Sequence, residues 1–361
     1  MKALILVGGL GTRLRPLTIN TPKAMMPVLN KPFMAHVVGQ LMHHGVDEII
    51  LTRGHLAAQM ESYFGDGSGL GIKVVYVDET RPLGTAGGIK NCERHLDETF
   101  FVLNGDVFST IDFSAMLHSH RSKKATATIA LTPVDNPSAF GLVETETDGR
   151  IRRFIEKPKP DEITTNMINA GCYLLEPEVL DFIKPDTLTS IERETFQLLL
   201  KDKQPFYSFD TTGAYWIDMG NREKYYQLNI DMLNGVCNCA GTPSPGVHLG
   251  EGTSVDPSAE ISGNVVFGEN CRVGANAIVT GPAVIGAGCQ LGNRVSVSGS
   301  LLWPGVNIGD DSSVILSIIG DHCRIASSDH IDDSALADGV YTPPSLTLSG
   351  AAVWPGTIMS N

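Results

Sequence analysis

Residues 1–23 read MKALILVGGLGTRLRPLTINTPK. The run Ala3-Leu4-Ile5-Leu6-Val7 is apolar without alternation, the pattern of a strand buried on both faces of a parallel sheet. It breaks at Gly8-Gly9-Leu10-Gly11. With no Cβ at three of these four positions, backbone N–H groups can turn toward a bound group. Arg13, Arg15 and Lys23 follow. A loop offering amides, then three cations, suits a polyphosphate. It is not a Walker A loop, because no Gly-Lys-Ser/Thr follows. It is also a poor dinucleotide fingerprint, because Leu14 stands in place of the third glycine. The glycines alone are equally well read as a tight turn beside solvated arginines.

Beyond this loop the period alternates. Met34, Val37, Val38, Leu41 and Met42 recur at helical spacing, ending at Gly45. Asp47 to Thr52 reads as a second strand, His55 to Phe64 as a helix and Ile72 to Val77 as a third strand. The order β-α-β-α-β predicts a parallel sheet, with ligands at the carboxyl ends of its strands. Asp78-Glu79 and then Leu83-Gly84-Thr85-Ala86-Gly87-Gly88 lie at such an end. There a base or ribose can rest on bare backbone at Gly84 and Gly87, and either carboxylate can accept from the N–H groups of a base.

A fourth strand, Thr99 to Leu103, delivers Asn104-Gly105-Asp106 to the same edge. An aspartate there is poorly explained by packing, whereas Mg²⁺ takes one or two carboxylates plus substrate phosphates. Asp106 is therefore the first candidate ligand. Ala125 to Thr132 reads as a strand, then a hairpin turning at Asp148-Gly149 and ending in Phe154-Ile155-Glu156-Lys157-Pro158. A carboxylate can hold two sugar hydroxyls, and a lysine can neutralise a phosphate. Asn169-Ala170-Gly171 offers an amide and a bare backbone. Ser190 is placed to cap a helix over Arg193 to Lys201. Tyr215 to Gly220 ends in a second isolated aspartate, Asp218. Asn221 to Leu233 reads as a helix, and Gly235 to Gly252 as a linker.

The last third changes period. Val255, Ile261, Phe267, Val273, Val279, Ile285, Leu291 and Val297 fall at six-residue steps, the mark of a parallel β-helix. The phase slips near Trp303-Pro304-Gly305, read as a protruding loop, and resumes at Ile308 and Val314. Trp354-Pro355-Gly356 repeats that tripeptide in the tail.

The 361 residues carry a net charge of −13, which argues against nucleic acid or an anionic membrane as partner. No apolar run of 18 residues and no signal-peptide pattern is present, so the expectation is cytoplasmic. The seven cysteines are scattered. Cys237-x-Cys239 alone does not make a zinc site.

Taken together, GGxGTRLxPLT with the following Pro-Lys, LGTAGG, the FxEKP motif at Phe154–Pro158, NAGCYLLEP, SIERETF and YWIDMG resemble the sugar-nucleotidyltransferases. Among these they are most similar to mannose-1-phosphate guanylyltransferases with a C-terminal left-handed β-helix. Ala24-Met25-Met26-Pro27 and Gly88 depart from the family's usual residues. The resemblance implies a Rossmann-like, mostly parallel nucleotidyltransferase domain over residues 1–234. It also implies a linker at 235–252, a left-handed β-helix over 253–340 and a tail at 341–361.

The implied reaction is attack of a sugar 1-phosphate, mannose 1-phosphate first, on the α-phosphorus of an NTP, GTP first, giving GDP-mannose and pyrophosphate. Arg13, Lys23 and Lys157 are the implied catalytic cations. Leu6, Gly8, Gly9, Gly11, Thr12, Arg13, Glu79, Gly84 and Asp106 are expected at the nucleotide. Gly141, Glu156, Asn169 and Gly171 are expected at the sugar, and Asp106 and Asp218 on Mg²⁺. A homo-oligomer joined through the β-helix is implied too. The alternatives are a thymidylyl- or uridylyltransferase acting on glucose 1-phosphate, a bifunctional enzyme whose β-helix transfers acyl groups (His322 and His330 being its histidines), and a silent sugar-nucleotide-binding regulatory subunit.

Overall fold

The computed structural model describes residues 1–9, 11–54, 57–237 and 242–360. The elements in order are β1 (Lys2–Leu6), a small hairpin β2 (Pro27–Val28) and β3 (Lys31–Pro32), α1 (Phe33–His43), β4 (Glu48–Arg53), α2 (Ala57–Phe64), β5 (Lys73–Asp78) and α3 (Gly84–Asn91). They continue with β6 (Phe100–Asn104), β7 (Val107–Ser109), α4 (Phe113–Ser122), β8 (Ala127–Pro133), β9 (Gly141–Thr145), β10 (Ile151–Glu156) and β11 (Met167–Leu175). Then come α5 (Phe196–Lys201), β12 (Phe206–Asp210), β13 (Trp216–Asp218) and α6 (Arg222–Leu233), before the short strands of a β-helix. Of the helix expected from His55, residues 55 and 56 lie outside the described residues, as does Cys239 of the Cys237-x-Cys239 pair. Among the described residues no helix is long and apolar enough to cross a membrane.

The chain divides into two compact units, one of Met1–Gly9 with Val37–Asp218 and the other of Leu10–His36 with Met219–Asn361. In the first, one sheet runs β10-β9-β11-β6-β1-β4-β5, and β8 joins β11 to β12. β1 pairs in parallel with β4 and β6, and β4 with β5, as the alternating pattern predicts. The other half is mostly antiparallel: β11 reverses against β6 and β8, and β9 and β10 form the expected hairpin, while β12 runs parallel to β8 at the margin. Ala3, Leu4 and Ile5 are wholly buried, which accounts for the unbroken apolar run.

In the second unit the six-residue positions fall on three parallel sheets in turn. Val255 pairs with Val273 and then Leu291, Ile261 with Val279 and Val297, and Phe267 with Ile285, so one coil is three hexads. Beyond Val297 each coil is one residue shorter: Leu291 pairs with Ile308, Val297 with Val314 and Ile285 with Leu302. The phase slip is therefore a shortened corner at Gly299-Ser300, not a protruding loop at Trp303, which is buried.

The shortened corners turn through positive φ at Gly299, Leu316, Asp333 and Gly350. Their buried serines form a ladder. Ser300 Oγ accepts from Ser317 N at 3.1 Å, Ser317 Oγ from Ser334 N at 3.0 Å, and Ser334 Oγ from Ala351 N at 3.0 Å. Small side chains at a tight corner thus satisfy amides that the core would otherwise strand. The coils reach beyond both expected limits. Val247–His248 already pairs with Val265–Val266, and Ala352–Val353 still pairs with Ala335–Leu336.

Candidate active site

The end of β6 lies close beside the end of β1, its parallel neighbour, with Asn104 opposite Leu6. Gly105 N donates to Leu6 O at 2.9 Å, and a Cβ on Gly105 would stand 2.5 Å from that oxygen. Only glycine fits there, which explains why Asp106 follows a glycine. β7 then leads away and pairs antiparallel with β13, with Trp216 opposite Ser109, Ile217 opposite Phe108 and Asp218 opposite Val107. Asp218 thus arrives one residue from Asp106. Among the described residues no group of three or more His, Cys, Asp or Glu is placed to hold a metal. Two carboxylates on adjoining strands fit a hard divalent cation that draws its remaining ligands from phosphates and water.

The expected sugar residues converge on the same place. Gly141 is the cross-strand partner of Glu156, and a Cβ on it would lie 3.1 Å from Glu156 Oε2. Asn169 Nδ2 donates to the Tyr173 hydroxyl at 2.8 Å, and its Oδ1 accepts from Gly171 N at 2.9 Å. β11 bulges here, and Gly171 has φ +73°. A Cβ on Gly171 would meet Asn104 Nδ2 at 2.9 Å and Val107 Cγ2 at 3.2 Å, so the bulge rests on the segment that carries Asp106. Trp216, on the strand of Asp218, donates to Ala170 O at 2.9 Å and meets the Phe140 ring edge-on. Lys157 is exposed and turns at φ +53°, its amide on Phe140 O.

On the nucleotide side, Leu6, Gly8, Gly88 and Glu79 come together. A Cβ on Gly8 would lie 3.2 Å from Glu79 Oε2, and one on Gly88 would lie 3.4 Å from Leu6 Cδ2. Glu79 Oε1 accepts from Leu83 N at 2.7 Å. Asp78, by contrast, is held by Arg53 through Nε and Nη2, and that hydrogen bonding keeps its carboxyl below the usual range. Of the two carboxylates left open by the sequence, Glu79 is the one beside the glycines. Gly84 and Gly87 serve a close packing: a Cβ on either would stand 2.6 and 2.5 Å from the carbonyls of Thr189 and Thr187.

Gly9 borders open space. In the second unit, Gly11 sits at φ +59° before the 3₁₀ turn Thr12–Leu14, whose Thr12 and Arg13 are exposed. Lys23 opens the 3₁₀ turn Lys23–Met25.

Residues 2–235 match the nucleotidyl transferase family, and residues 244–348 match the LbH domain of EIF2B subunit epsilon. The chain belongs to the nucleotidyl transferase family. A mannose-1-phosphate guanylyltransferase of Mycobacterium tuberculosis is 40% identical over 273 residues, 73% of this chain and 74% of that protein. A UTP–glucose-1-phosphate uridylyltransferase of Synechocystis is 35% identical over 284 residues, 73% of each. Among solved structures, HddC from Yersinia pseudotuberculosis complexed with GMP-PN superposes with a TM-score of 0.54 at 30% identity. It covers 63% of this chain and 97% of its own. The second domain is a left-handed β-helix, and the family generally uses a divalent metal.

In this nucleotidyltransferase one polar residue of the site escaped sequence reading. The expected helix over Arg193 to Lys201 begins instead with a π-helical turn, Ile191–Thr195, capped by Ser190 as predicted. The turn presents Glu192 to the interior. Its carboxylate accepts from Ser190 Oγ at 2.7 Å, Thr85 Oγ1 at 2.9 Å and the Tyr173 hydroxyl at 3.3 Å. Glu192 therefore anchors the Tyr173-Asn169-Gly171 chain of hydrogen bonds. Burial first, and the Glu192 charge second, push Glu156 above the usual carboxylate value, against Lys157 and Arg193. The signal that points to Glu192 is Tyr173, a tyrosine inside an apolar strand whose hydroxyl requires a buried partner.

Proposed function

We propose that this nucleotidyltransferase is a mannose-1-phosphate guanylyltransferase, joining GTP and mannose 1-phosphate into GDP-mannose and pyrophosphate. The observation that carries the reading is the convergence of Asp106, Asp218, Gly171, Asn169 and Glu156 at one end of the sheet. The base and the sugar come from the 40% identical relative. The uridylyltransferase relative keeps a second reading alive, UTP with glucose 1-phosphate.

The sugar 1-phosphate is already ionised at neutral pH, so its oxygen attacks the α-phosphorus without a general base. The site's work is to align two anions and to offset their repulsion. Mg²⁺, held by Asp106 and Asp218, would supply charge neutralisation between the phosphates. Gly8, Gly9, Gly11 and Thr12 offer backbone and hydroxyl donors to the triphosphate. Arg13 and Lys23 hold it and the departing pyrophosphate. Lys157 receives the sugar phosphate, Glu156 and Asn169 grip the sugar hydroxyls, and Gly141 and Gly171 leave room for the ring. Leu6, Glu79 and Gly84 border the nucleoside. The proposal places catalysis in residues 1–234, ahead of a β-helix whose first coil strand is Val247–His248 and which assembles a cytoplasmic homo-oligomer.

Incubation with GTP, mannose 1-phosphate and Mg²⁺ should give GDP-mannose and pyrophosphate in equal amounts. Tight binding of GDP-mannose with no turnover would replace the enzyme with a sensor.

A further inference from the structure

Lys23 lies between two points at which its segment is held within the second unit. On one side Asn20 hydrogen-bonds Asp338 of the β-helix. On the other stands the β2–β3 hairpin, with Val28 paired to Lys31 across a two-residue turn. Both turn residues have positive φ, Leu29 at 45° and Asn30 at 65°. Asparagine tolerates that conformation, but leucine does not adopt it readily, and such a residue persists only where its surroundings impose it.

The surroundings do impose it. Leu29 is buried, and its N donates at 3.0 Å to Oδ1 of Asn229 in α6. The orientation of that amide is fixed because its Nδ2 donates to Tyr225 O. Asn30 Nδ2 reaches the carbonyl of Ile285 in the β-helix at 2.9 Å. One turn of α6 earlier, the buried Tyr225 hydroxyl donates to Pro27 O and accepts from Trp303 Nε1 at 2.9 Å. Phe33 N on Met26 O and Met26 N on Lys23 O carry the hairpin's position back to Lys23.

We infer that α6 and the β-helix are the seat of the phosphate-binding segment: Asn30, Tyr225, Asn229 and Trp303 are positioning residues that hold the Leu29–Asn30 turn and thereby set affinity for the nucleotide's phosphates. The β-helix is then part of the catalytic apparatus as well as a means of assembly. Trp303-Pro304-Gly305 is the corner on which Tyr225 is hung. The inference rests on the assignment of Lys23 to the triphosphate.

The test uses the full chain with Asn30→Gly, which keeps the turn conformation accessible but deletes the bond to Ile285, and Trp303→Phe, which deletes the indole donor together with part of a buried ring. Each should raise KM for GTP roughly fivefold, the effect of about one neutral hydrogen bond. KM for mannose 1-phosphate should stay within about twofold, and circular dichroism should be unchanged. If both KM values stay at wild type, or rise together, in a folded Trp303→Phe protein while Lys23→Ala still weakens GTP, the inference is overturned and the role of Lys23 stands. Unchanged KM for GTP in Lys23→Ala overturns the assignment of Lys23, and this inference with it.

Discussion

Asp218 stands opposite Val107 in the β7–β13 ladder and so beside Asp106, although the two carboxylates are 112 positions apart in the chain. Replacing either with asparagine keeps the shape and the strand pairing while removing one of the two charges offered to the cation. Asp106→Asn and Asp218→Asn should each lower turnover by ~100-fold or more, the scale on which a metal contact matters to phosphoryl transfer. Thermal unfolding should stay close to wild type. Pyrophosphate release read beside a melting curve checks both, and near-normal turnover in either variant removes that aspartate from the site.

Glu192 acts on the sugar through others. Glu192→Gln keeps the volume but weakens the acceptor shared by Ser190, Thr85 and Tyr173. KM for the sugar phosphate should rise about tenfold, the loss of one charge-assisted hydrogen bond. The pH dependence gives a second readout. Glu156 has its pKa raised by burial and then by Glu192, while Lys157 and Arg193 oppose the rise. Sugar binding through the Glu156 carboxylate is complete above that pKa and lost as pH falls through it. Without the Glu192 charge the pKa drops, so the acid limb of kcat/KM for the sugar phosphate should move to lower pH. A limb that stays in place or moves upward contradicts this coupling.

Gly105 lets the chain leaving β6 stay close against the end of β1, with no room for a Cβ beside Leu6 O. Gly105→Ala forces two paired strand ends apart. It should cost about 1–3 kcal/mol of stability, as overpacking does, and displace Asp106 as well. Urea unfolding and metal-dependent turnover should both suffer. A variant of unchanged stability would mean that the two strand ends are less tightly apposed than described.

The serine ladder supplies a prediction for the β-helix. Ser317 Oγ donates to Ile315 O and accepts from Ser334 N. Ser317→Ala leaves a buried amide without its acceptor and should cost about 1–3 kcal/mol in urea unfolding. Ser296, on an outer face of the coils, is only partly buried, and its substitution by alanine should cost less than about 0.5 kcal/mol.

Much of this was legible in the sequence because it follows from period. Ala3 to Val7 reads as a buried strand, and eight apolar positions at hexad spacing name the β-helix before any pairing is known. What escaped lies between residues far apart. The coils shorten at Gly299-Ser300 because a corner serine, not a loop, absorbs the deletion. Glu192 reads as an ordinary first-turn acid and becomes the hub of a network only when a π-helical turn faces Tyr173. Asp78 and Glu79 are equivalent in the sequence, and they are separated only by their partners in the fold, Arg53 for Asp78 and the Gly8 and Leu83 backbone for Glu79. Pro27, Leu29 and Asn30 come soon after the first strand, yet they hydrogen-bond to α6 and the β-helix, more than 190 positions away.

The central claim is nucleotidyl transfer from GTP to mannose 1-phosphate. It is tested most directly by pyrophosphate release in the presence of Mg²⁺, with GTP, UTP, dTTP and ATP each crossed with mannose 1-phosphate and glucose 1-phosphate. The account predicts release with GTP and mannose 1-phosphate well above every other pair. Preferred release with UTP or dTTP and glucose 1-phosphate would contradict the substrate assignment, and no release from any pair by the folded protein would contradict the claim of catalysis itself.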